Sequence, residues 1–81
     1  MQKILMKVVR KTVLEVSGLG QRIKQAREAD PRSLKTLAKS AGMTSMNWYR
    51  IEAEDQELPE ETLRKVEASL GVDFGVKFNE S

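Results

Sequence analysis

Residues 33–52 set two short apolar patterns on either side of a single glycine, and this stretch constrains the fold more than any other. Upstream of Gly42, Leu34, Leu37, Ala38 and Ala41 recur at helical spacing, and Ser33 is a suitable N-cap for a helix over 34–41. Gly42 adopts positive φ at little cost and so ends that helix abruptly. Downstream, Thr44 or Ser45 caps a further helix that runs to about residue 53, with Trp48 and Ile51 turned inward. Ala38 has to be small if the second helix crosses the first there, and Met43, Trp48 and Ile51 fix that helix to the core. Two short helices joined by a tight glycine turn make a helix-turn-helix.

The flanking sequence supplies two more helices. Leu19, Ile23 and Ala26 lie on one face of a helix over 19–29, which Asp30-Pro31 stops. Pro59 suits a first helical position, Glu60 and Glu61 complement the dipole, Leu63, Val66 and Leu70 share a face, and Gly71 closes the helix. At the amino end, Ile4, Met6, Val8, Thr12, Leu14 and Val16 share one parity, broken by Arg10, which predicts one strand or two short ones. A helix with Leu5, Val8, Val9 and Thr12 on one face competes with that reading. At the carboxyl end, Val72, Phe74, Val76 and Phe78 alternate with Asp73, Gly75, Lys77 and Asn79, the pattern of a strand. A lone strand needs a partner, and the amino-terminal segment is the candidate, within one chain or across a dimer. The expected fold is mainly α: a strand segment over 1–17, a four-helix domain over 18–71, and a strand and tail over 72–81.

The 81 residues make one small domain. With neither Cys nor His, the chain has no disulfides, no zinc site on those ligands, and no Ser-His, Cys-His or imidazole catalysis. No enzyme activity, cofactor or metal is expected. No apolar run approaches the roughly 20 residues that span a bilayer, and a reducing cytoplasm fits the absence of Cys. The net charge of +2 conceals a division: residues 1–50 carry eleven basic and three acidic side chains, and residues 51–81 three basic and nine acidic. Such segregation can offer a basic face to a polyanion.

The stretches LGQRIKQAREA (residues 19–29), LAKSAGMTSMNWYRIE (37–52) and LPEETLRKVEASLGV (58–72) together resemble the lambda-repressor-like, or XRE, family of helix-turn-helix domains. The resemblance covers about two-thirds of the chain and includes the basic stripe Arg22, Lys24, Arg27 and the apolar-Glu pair Ile51-Glu52. It implies a four-helix domain that binds double-stranded DNA, usually as a homodimer on near-palindromic sites, and regulates transcription. A recognition helix over about 44–53 would enter the major groove, bringing Ser45, Met46, Asn47, Tyr49 and Arg50 to base edges. In the family, base contacts fall mainly at the positions of Ser45, Met46, Tyr49 and Arg50. Arg22, Arg32, Lys35 and Lys39, with Thr44 at the helix cap, would meet phosphates. Two departures stand out. Leu34 occupies a position where the family commonly has a phosphate-binding Gln, and residues 53–57 are acidic where the family has Asn-Gly and basic residues. Those departures favour a second reading, a protein-interaction module such as an antitoxin-like or adaptor protein on the same fold.

Overall fold

The computed structural model describes residues 5–9 and 13–78. Ile4, Arg10, Thr12 and Asn79, which figured in the strand patterns, lie outside the described residues. The chain runs through strands β1 (Leu5–Val9) and β2 (Val13–Ser17), then helices α1 (Leu19–Glu28), α2 (Leu34–Ser40) and α3 (Ser45–Glu52), a two-residue strand β3 (Leu58–Pro59), and helix α4 (Glu60–Leu70). Among the described residues no helix is long and apolar enough to cross a membrane.

Each helix begins and ends where local chemistry directs it. The Ser33 Oγ accepts the Thr36 amide at 3.2 Å, and the Thr44 Oγ1 accepts the Asn47 amide at 3.1 Å, so both serve as N-caps. At the end of α2, Gly42 has φ 73°, its amide donates to the Lys39 carbonyl at 3.0 Å, and Met43 donates to Ala38 at 2.9 Å. This paired closure is a Schellman motif; it satisfies carbonyls the helix cannot reach and turns the chain toward α3. Pro59 stands one residue earlier than expected, at the N-cap of α4, with Glu60 and Glu61 in the first turn.

The core collects the residues that periodicity singled out. Leu19, Ile23, Leu37, Ala38, Trp48, Ile51, Leu63 and Val66 are buried, joined by Met6, Val8 and Leu58; Ala26, Leu34 and Met43 pack at its edge. The buried Ser69 hydroxyl donates to the Leu37 carbonyl at 2.8 Å and so fastens α4 to α2.

Within one chain, the described residues of the amino- and carboxyl-terminal segments do not pair with each other. The amino-terminal segment forms its own antiparallel hairpin, with Met6 opposite Val16 and Val8 opposite Leu14. The third strand comes from the loop before α4: Val8 and Val9 pair in parallel with Leu58 and Pro59, giving the order β2-β1-β3. Residues 72–78 form no strand. Phe74 and Val76 are buried, but their backbone is held by side chains: Arg22 donates to the Phe74 carbonyl, Glu67 accepts the Phe74 amide, and Arg64 donates to the Val76 carbonyl. Alternating apolar residues record burial of one face. They do not specify who takes the backbone hydrogen bonds.

Candidate nucleic-acid interface

Helix α3 meets the core through Trp48 and Ile51, both buried. At about 100° per residue, Met46, Tyr49, Arg50 and Ala53 fall on the opposite side, and Ser45 and Asn47 fall on the two flanks. The exposures agree: Met46 is 62% exposed and Tyr49 53%, Arg50 is exposed, and Ser45 and Asn47 are half-buried. The structure therefore brings Met46, Tyr49 and Arg50 together on an outward face. Ser45 and Asn47 sit at its margins, and the Asn47 amide is already engaged: its Oδ1 accepts Gln56 Nε2 at 3.0 Å, and its Nδ2 lies 3.9 Å from Met43 Sδ.

The cations proposed for phosphate divide into two groups. Arg22 donates to the Phe74 carbonyl at 2.7 Å and lies over that ring, 5.6 Å from its centroid. Arg32 binds Asp30 through two nitrogens and donates to the Ser69 carbonyl at 2.8 Å, joining the α1–α2 turn to the end of α4. The Arg32 guanidinium and amide hold the Asp30 carboxyl down at about 2. These two arginines are tied to the fold. Lys35 and Lys39 are exposed and have no ion-pair or hydrogen-bond partner among the described residues. Lys35 lies in the first turn of α2, where the helix dipole disfavours a cation, so the helix itself gains nothing from it.

Arg27, third in the basic stripe, is also internal. It binds Glu52 through Nε at 2.6 Å and Nη2 at 3.0 Å, and Trp48 Nε1 donates to the same carboxylate at 2.7 Å. The Glu52 side chain is 5% exposed and that of Arg27 16%. The hydrogen bonds that Arg27 donates to Glu52 raise its pKa above the ordinary value despite the burial. The Arg27 guanidinium lies 5.9 Å from the Tyr49 ring centroid, so the pair steadies a residue of the outward face. Lys24 is left as the exposed cation of the stripe; with Gln21 and Tyr49 it lines a shallow notch between α1 and α3. Sequence position alone does not separate Lys24 from its neighbours, because helical phase shows exposure and not partners.

The acidic stretch is less hostile to phosphate than it reads. Glu54 has φ 60°, and its carboxylate turns inward to accept the Gly20 amide at 2.8 Å, serving α1 as a cap from a distant loop. Lys7 of β1 borders the same hollow as residues 54–57. Asp55 and Glu57 remain exposed. Among the described residues no group of three or more acidic side chains is placed to hold a metal ion.

Thr44 is first of all a cap. Thr44→Ala is expected to cost about 1 kcal/mol, lowering Tm by roughly 5 °C, and to leave any duplex preference unchanged. A thermal melt beside a binding series on several duplexes checks both halves of that statement.

Compared with models of known protein families, with curated proteins and with solved structures, the chain finds no match.

Proposed function

We propose that this chain is a lambda-repressor-like helix-turn-helix protein that binds double-stranded DNA as a homodimer and regulates transcription, with α3 in the major groove. The observation that carries the reading is the outward face of α3. Among the described residues, large apolar side chains are exposed at Met46, Tyr49 and Val72, and two of those three lie on this one helix face beside Arg50. Exposed apolar side chains grouped on one face mark a contact surface. Met46 suits a thymine methyl and Arg50 a guanine edge, and Lys24, Lys35 and Lys39 supply cations with no partner among the described residues. Met6 and Val8 of β1 and Phe74 and Val76 are buried within the one chain, whereas Val72 is exposed.

Binding to a duplex should weaken steeply with salt, since each neutralised phosphate releases counterions. Lys39→Ala is expected to weaken all duplexes alike and to reduce the salt slope by about one, whereas Arg50→Ala and Tyr49→Ala shift the order of preference among duplexes. Titrations of wild type and the three variants at several salt concentrations read both effects. A second reading, a protein-interaction module, draws on the exposed Asp55 and Glu57 that follow α3, together with the exposed Met46 and Tyr49 on it. Failure to bind any duplex at low salt decides for it.

A further inference from the structure

Asn47 is the one expected base reader whose amide is engaged within the fold. Its Nδ2 rests 3.9 Å from Met43 Sδ, and Met43 packs against the core. Its Oδ1 accepts Gln56 Nε2 at 3.0 Å, across nine residues of chain. The loop that carries Gln56 is folded back on α3 by two backbone bonds, Glu54 to the Ile51 carbonyl and Asp55 to the Arg50 carbonyl, both 3.1 Å. The Glu54 carboxylate secures the same loop to α1 through the Gly20 amide. Gln56 is exposed, and its Oε1 and second Nε2 hydrogen have no partner among the described residues. An acceptor beside a donor is the pair that reads the N6/N7 edge of adenine. Holding one end of a flexible amide lowers the entropy lost when the other end binds.

Resting on the DNA reading above, we propose that Gln56 is a specificity-determining residue of this interface and that Asn47 is a positioning residue acting through it. Asn47 is third in α3, so its bond sets a loop amide beside the amino-terminal half of the helix, the half that reaches base edges. The loop thereby extends the recognition face past the flank where Asn47 lies.

The test uses the full chain and the duplex it prefers, with every single-base-pair variant of that duplex, read by fluorescence anisotropy. Gln56→Ala should lose discrimination at one A·T pair by about tenfold or more. Asn47→Ala should lose it at the same pair, and the double variant should be no worse than Gln56→Ala alone. Asn47→Asp retains an acceptor for Gln56; it should keep the preference while weakening all duplexes alike through its added charge. Melts of each variant separate loss of preference from loss of fold. Unchanged discrimination in Gln56→Ala, or losses at different pairs in the two alanine variants, overturns the assignment and leaves DNA binding standing. Binding to no duplex overturns both.

Discussion

Glu52→Ala should be among the most damaging single substitutions outside the apolar core, at about 3–5 kcal/mol. The carboxylate accepts two bonds from Arg27 and one from the Trp48 indole, and its side chain is 5% exposed. Removing it leaves a largely buried guanidinium without a counter-ion and a buried indole N–H without an acceptor. Both defects cost more than the pair itself contributes, because the desolvation is no longer offset. A chain of this size has a total stability of about 4–12 kcal/mol, so the variant stands close to unfolding at ambient temperature. The distinguishing comparison is Arg27→Met/Glu52→Leu. Replacing both charges with apolar groups should recover much of the loss, since only the indole N–H is left unpaired. Urea midpoints for wild type, the single variant and the double variant decide this. Equal losses in the single and double variants would show that the pair is not what holds α1 to α3. The same series bears on the outward face of α3, because Arg27 lies over Tyr49.

Gly20→Ala is the second large expectation, and it runs against helix propensity. In an ordinary helix the change would stabilise by about 1 kcal/mol. Here an added Cβ would run into the Glu52 carbonyl oxygen and come within 2.7 Å of Glu54 Cγ. The carbonyl belongs to backbone that cannot rotate aside, so α1 must move away from the end of α3. The expected net cost is about 2 kcal/mol, which is overpacking together with the weakened bond from the Gly20 amide to Glu54. Gly20→Ala/Glu54→Ala should recover little, because the clash with the Glu52 carbonyl persists. Glu54→Gly alone should be close to neutral: it loses the cap but relieves a positive φ, and it removes a carboxylate whose Oε1 is buried with no partner. Thermal melts of these three variants, read in order, test the packing. A Gly20→Ala variant as stable as wild type would mean that α1 and α3 are not in this contact.

The elements that were legible in the sequence are those whose causes are local. Ser33, Thr44, Gly42 and Gly71 act within a turn of where they stand, and the helix limits fall within about one residue of their expected places. Helical spacing likewise identified the buried face of each helix, from Leu19 and Ile23 to Val66 and Leu70. What was not legible depends on contacts far apart in the chain. Nothing near Leu58 shows that it will pair with Val8, and nothing in residues 72–78 shows that arginines will take the place of a neighbouring strand. The candidate site suffered most from this. Arg22, Lys24 and Arg27 read alike, yet two of them are bound to distant groups and one is exposed without a partner among the described residues. Glu54 reads as a surface acid and is instead a cap for α1. Asn47 reads as a contact residue, and its amide is already bound to a loop residue that periodicity gave no reason to notice. For polar side chains, residue type states what a group can bind. Only tertiary structure states what it does bind.

We propose that the Met46–Tyr49–Arg50 face of α3 reads duplex DNA. Selection of bound duplexes from a random pool by the full chain at low salt tests it most directly. The expected result is enrichment of a short motif repeated in inverted orientation, with half-sites about one helical turn apart, and loss of that motif when Arg50→Ala is used in the same selection. A selected pool no different from the starting pool would contradict it, as would the same motif emerging from wild type and Arg50→Ala alike.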